Sequence, residues 1–111
     1  MNYKKLYEKV NIAVKLEERK FFNYFDETVR ELEALYGNFL YIDEEKYEAP
    51  DTLDDKCVIR PLYHNAIVDN IFYLAGIGEV YKGEFIRKAR NAYNKYWHDN
   101  AKGRRVRRAR W

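Results

Sequence analysis

A single cysteine, Cys57, leaves this chain no partner for an intrachain disulfide, and nothing suggests a secreted domain stapled by bridges. No run of apolar residues approaches the ~20 that a bilayer-spanning helix needs. The opening MNYKKLYEKV contains no apolar stretch of the signal-peptide kind. The reading is a chain without a membrane segment or a secretory leader. Also missing are a glycine-rich phosphate loop, a nucleophile elbow and a helical H-E-x-x-H pair. The two histidines, His64 and His98, have no motif partners, and each reads as structural rather than as a general base. Cys57 has no histidine near it in sequence and reads as a packed thiol. Carboxylates crowd DEEKYEAPDTLDDK (residues 43–56), but the D-x-D-x-D-G alternation of an EF-hand loop is absent. No catalysis, cofactor or metal is expected.

What the chain has in quantity is charge and tyrosine. Its 111 residues are 47% hydrophobic, which argues against global disorder, and 35% charged, which argues against a membrane protein. A chain of this length reads as one domain that buries roughly 65% of its unfolded surface. Aromatics make up 17%, with 11 tyrosines, more than a small core holds. Tyrosine suits surfaces that are partly buried and partly wet, so some of these are expected in subunit contacts.

Apolar spacing outlines four helices. Tyr3, Leu6, Tyr7, Val10 and Ala13 or Val14 mark an amphipathic first helix in residues 3–16, followed by the charged LEERK, either a break or a continuation. Phe21, Phe25, Val29, Leu32 and Tyr36 form a second stripe, stopped at Gly37. Its opposite face, with Asp26, Glu27, Arg30, Glu31 and Glu33, reads as solvated. From Asn38 to Ile59 the helical period is lost, and FLYI and KCVI read as a possible two-stranded ribbon around a long acidic loop. The segment PLYHNAIVDNIFYLAG is apolar almost all round a helical wheel, so neighbours should bury it on several sides. Tyr63, Ala66, Ile67, Asn70, Ile71 and Leu74 share its broad face, and His64, Asn65 and Asp69 form a narrow polar strip. Pro61 suits the first turn and Gly76 the cap. After GIGE, a last helix shows Phe85, Ala89, Ala92 or Tyr93, and Tyr96 at helical spacing. Its cations look unaligned, Arg87 and Lys95 pointing differently from Arg90, so no basic stripe is expected on the body.

The fold class is therefore mainly all-α: a small bundle of about four helices, with a long irregular loop or short β-ribbon between the second and third. Residues 1–101 form one helical domain and 102–111 an extended basic tail. That tail, KGRRVRRARW, carries Lys102, Arg104, Arg105, Arg107, Arg108 and Arg110 and no acid. Three roles compete for it: phosphate binding, docking on an acidic protein surface, or a solubilising end. The terminal Trp111 looks like an anchor and favours docking.

The amphipathic helix ending in ELEALYG, the irregular middle and the closing RPLYHNAIVDNIFYLAGIGEVYKGEFIRKARNAYNKYW come in an order that resembles one family. These are the small head–tail connector, or head-completion and adaptor, proteins of tailed bacteriophages and prophages. The resemblance covers most of residues 5–98 and lies in apolar spacing. It implies a structural protein, with no catalysis and no cofactor, that forms a homo-oligomeric ring under the capsid portal. The ring would extend the DNA channel and be the platform for the next neck or tail completion protein. The implied location is the head–tail interface of the virion, after assembly in the host cytoplasm. On this reading Lys102, Arg104, Arg105, Arg107, Arg108, Arg110 and Trp111 contact the portal, a neighbouring subunit or packaged DNA. The acidic residues Asp43, Glu44, Glu45, Glu48, Asp51, Asp54 and Asp55 lie at a subunit boundary. The alternative is a small nucleic-acid-binding or regulatory helical protein that uses its arginine-rich tail, and a third reading is a helical adaptor pairing through exposed tyrosines.

Overall fold

Apolar residues repeating at helical spacing leave water by packing helix on helix, and four helices do so here. The computed structural model describes residues 2–42 and 47–101, with only the backbone for residues 38, 39 and 98–101. Among these are α1 (Lys4–Ala13), α2 (Glu18–Tyr36), α3 (His64–Leu74) and α4 (Val80–Ala101), and no strand. None of the helices is long and apolar enough to cross a membrane.

α1 buries Leu6 and Val10, and Tyr3 just before it, while Ile12 faces out. The break after it is tied by Asn11. The side-chain amide of Asn11 donates to Tyr7 O at 2.9 Å, and its carbonyl accepts from Leu16 N at 2.9 Å. The Tyr7 hydroxyl donates to Leu16 O at 2.7 Å. LEERK is thus divided: Leu16 and Glu17 belong to the break, and Glu18 opens α2. The stripe Phe21, Phe25, Val29 and Leu32 is buried as its spacing requires, and Gly37 ends the helix at φ 62°.

The FLYI and KCVI segments do meet antiparallel, but the contact falls short of a ribbon. It consists of one bridge, Tyr41 with Ile59, flanked by Ile42 N donating to Val58 O (2.8 Å) and Arg60 N donating to Leu40 O (2.9 Å).

A short 3₁₀ turn, Pro61–Tyr63, leads into α3. Tyr63, Ala66, Ile67, Asn70 and Ile71 are buried as the wheel places them, and Leu74 is half-buried. The polar strip is a correction. Asn65 is exposed, but His64 and Asp69 are buried because the chain before α3 and α4 cover that side. Each polar group has a partner there: His64 Nε2 lies 3.0 Å from Ile59 O, and Lys88 Nζ 2.6 Å from Asp69 Oδ2.

Gly76, at φ 83°, reverses the chain, with Ile77 N donating to Phe72 O at 3.1 Å. α4 then runs antiparallel to α3: Tyr81 meets Phe72, Lys88 meets Asp69, and Tyr96 lies under Arg60, so positions rise along one partner as they fall along the other. Phe85, Ala89 and Ala92 face the core.

A polar node joins three helices. Asn70 Nδ2 donates to Thr28 Oγ1 at 2.8 Å, and Thr28 donates onward to Tyr24 O at 2.7 Å. Lys82 Nζ reaches Asn70 Oδ1 at 3.3 Å and Glu31 Oε2 at 2.6 Å, with its ammonium 4.9 Å from the Phe85 ring centroid. The polar face of α2 is therefore only partly solvated. Glu31 holds α4, Glu33 accepts from the Tyr41 hydroxyl, and Asp26 pairs with Arg30 at 2.8 Å.

Ile67→Ala or Ile71→Ala, each emptying a fully buried site, should cost about 2–5 kcal/mol in urea unfolding; midpoints equal to the parent's would contradict the central place of α3. Thr28→Val should cost about 1–3 kcal/mol, because it strands the buried Asn70 Nδ2 donor. Adding Asn70→Leu to that variant removes the stranded donor and should recover part of the loss, measured as a double-mutant cycle.

Candidate functional site

The residues singled out for contacts fall into two groups. Asp43, Glu44 and Glu45, and the tail residues Lys102, Arg104, Arg105, Arg107, Arg108, Arg110 and Trp111, lie outside the described residues. The rest of the acidic stretch can be placed. Tyr47 stacks on Phe25 with ring centroids 6.3 Å apart, and Leu53 packs against the core, so this segment is held to the body at both points. Glu48 and Asp51 between them, and Asp54 just after Leu53, are exposed. Asp55 is committed to the local turn. Its carboxylate accepts from Asp51 N at 2.8 Å, from Thr52 N at 3.1 Å and from the Thr52 hydroxyl at 3.2 Å. The two backbone donors hold its pKa below the usual carboxylate range. Of the acidic residues expected at a boundary, Glu48, Asp51 and Asp54 carry exposed carboxylates, whereas Asp55 shapes the local turn.

Cys57 and His64 are brought together by the chain's return before α3, a proximity their separation in sequence conceals. Sγ lies 3.9 Å from Nε2. Because Ile59 O only accepts, the nitrogen beside it must carry the hydrogen, and Nε2–H donates to that carbonyl. It has no lone pair left for the thiol proton. Burial pushes the Cys57 pKa up, so the sulfur stays protonated, and burial pushes His64 down, with the nearby Lys9 ammonium acting in the same direction. The pair is packing, not a nucleophile and its base. Among the described residues no three His, Cys, Asp or Glu side chains are grouped to hold a metal ion.

Apart from Ile12 on α1 and Ile86 in α4, the large exposed apolar side chains stand at the two ends of the α3–α4 hairpin. At the turn, Tyr73, Ile77 and Val80 face out, Val80 at 68%. At the other end the last turn of α2, the start of α3 and the second half of α4 meet in an aromatic cluster. Tyr36 contacts Tyr63 and Tyr93, Trp97 contacts Tyr93 and Tyr96, and the Arg60 guanidinium lies 4.6 Å from the Tyr96 ring centroid. Tyr63 is fully enclosed, its pKa raised to about 12 by burial, and its hydroxyl has no hydrogen-bond partner among the described residues. Leu35, Leu62 and Trp97 are exposed at this end.

Between the two ends, α4 presents a face that the sequence reading undervalued. Arg87, Arg90 and Lys95 do not form one row, but all three are exposed, together with Asn91 and Asn94. The signal was present in the i, i+3, i+4, i+7 spacing of Arg87, Arg90, Asn91 and Asn94. Comparisons with protein-family models, curated proteins and solved structures find no match to this chain.

The His64 environment makes stability depend on pH. In the unfolded chain its imidazole titrates near 6.5, and in the fold it titrates lower. Its contribution is complete above about pH 6.5 and is lost as the pH falls toward the folded value, because the unfolded state then binds the extra proton. His64→Gln keeps a donor for Ile59 O without the titration. Urea midpoints at pH 7.5 and 5.5 should fall further for the parent than for this variant; equal slopes would refute the assignment.

Proposed function

We propose that this chain is a structural head–tail connector of a tailed phage or prophage. It assembles as a ring beneath the capsid portal, extends the DNA channel and gives the next neck or tail completion protein its platform. The observation that supports this reading most is the placement of exposed apolar side chains at opposite ends of one helical hairpin. Tyr73, Ile77 and Val80 stand at the turn, and Leu35, Leu62 and Trp97 stand at the far end. Two different patches, one at each end, suit contacts in which unlike surfaces meet, and such contacts close into rings when the rotation allows. The aromatic character of the far end fits the anchor residues of protein interfaces.

Charge supplies the second support. The exposed Glu48, Asp51 and Asp54 offer carboxylates to the arginines at positions 104–110 of a neighbouring copy, or the portal offers its own. Forked arginine–carboxylate contacts would hold the tail, and Trp111 would fill a pocket. Chemistry plays no part in this role, and the protonated, enclosed Cys57 and the committed His64 are consistent with it.

Deleting residues 102–111 tests the docking role of the tail. The truncated protein should keep its helical circular dichroism and lose its ability to join portal particles prepared without DNA, read by cosedimentation and electron microscopy. Normal joining to empty portals by the truncated protein would overturn the docking role. Failure of the full chain to join any portal encoded beside it would overturn the connector reading itself.

A further inference from the structure

The geometry points to the outward face of α4 as a binding surface for the phosphate backbone of duplex nucleic acid. Arg87, Arg90, Asn91 and Asn94 occupy one side of the helix, Lys95 flanks them, and all five are exposed. The band from Arg87 to Lys95 rises about 12 Å along the helix axis. Every side chain exposed within it is a cation or an amide, the groups that hydrogen-bond phosphate oxygens. The one acid of residues 83–97 is Glu84, whose contact with Arg87 is a 2.5 Å surface pair. Such a pair contributes little and yields readily to a phosphate.

The other cations of this helix are used differently, which sharpens the assignment. Lys82 is held by Glu31 and Asn70, and Lys88 by the buried Asp69. The inner flank of α4 is thus neutralised by the body, and Arg87, Arg90 and Lys95 stand exposed on its outer side. Residues 1–79 carry ten Lys and Arg against sixteen Asp and Glu; residues 80–101 carry five against two, and the six further cations lie in residues 102–111. An acidic remainder repels a polyanion and turns α4 toward it. A protein partner fits this band poorly. Interface centres are built on apolar or aromatic anchors, and between Arg87 and Lys95 none is exposed, the exposed Ile86 lying just before the band. The surface requires no ring and no portal, so it stands apart from the connector role.

The test compares the full chain with the full-length triple variant Arg87→Gln, Arg90→Gln, Lys95→Gln, using a 20-base-pair duplex of arbitrary sequence between 50 and 200 mM KCl. Each phosphate contact contributes about −0.9 to the slope of log affinity against log salt. Loss of three contacts should make the slope shallower by about 2.7, which is roughly a fortyfold change across that fourfold salt range. Circular dichroism of the variant should match the parent, because all three side chains are exposed. An unchanged slope would overturn the assignment and leave any DNA affinity to the tail. Absence of duplex binding by the parent at 50 mM KCl would overturn it as well. Portal joining is measured in parallel, and a variant that loses joining while keeping its salt slope would count against the nucleic-acid surface and not against the connector.

Discussion

Seven of the eleven residues of α3 are buried, so this helix has to be enclosed by its neighbours and not merely laid against one of them. Each other element covers a different part of it. α2 packs on its broad face, α1 touches it, α4 runs back along it, and the segment around Ile59 closes over His64. Burial on this scale removes apolar surface from water at about 25 cal/mol per Å², and it also traps the polar groups that a short, continuous apolar run carries along.

Those trapped groups determine how the helices are joined. Asn70, His64 and Asp69 would each be costly in the core without a partner. Their partners come from three different places: Thr28 with Lys82, the Ile59 carbonyl, and Lys88. The bonds fix which side of α3 meets α2 and which meets α4, a choice that apolar packing alone leaves loosely specified. Lys82 does most in this respect, because its ammonium touches α2 and α3 from α4 and also lies over the Tyr73 and Phe85 rings.

The helices were legible because their signal is local. The steps from Phe21 to Tyr36, the Pro61 start and the glycines at 37 and 76 each act within a turn or two of the chain. The destinies of individual polar residues were not, since those depend on pairings between distant positions. Nothing near Glu31 announces Lys82, 51 residues away, and nothing near Asn70 announces Thr28, 42 residues away. Asp69 read as wet because Lys88 lies nineteen residues on, and His64 and Cys57 were misplaced because the chain's return before α3 has no periodic signal. The meeting of FLYI and KCVI was legible from β-type composition, but its reduction to one bridge reflects the 3₁₀ turn Gly37–Leu40, which spends the residues a longer strand would need. Of the residues expected in contacts, Glu48, Asp51 and Asp54 stand exposed and Asp55 does not act as a free carboxylate, while the exposure of the α4 cations was not read because only their alignment was judged.

The antiparallel pairing of α3 with α4 across a turn of a few residues also bears on how the chain reaches this structure. Tyr81 lies nine positions from Phe72, and Lys88 nineteen from Asp69, so these contacts close short loops and sacrifice little chain entropy. The contact of Thr28 with Asn70 and the bridge of Asn2 with Lys56 close far longer ones. The hairpin is built from local contacts, and contacts of this kind form fastest in small domains. It is also a surface against which α2 and α1 close those longer loops.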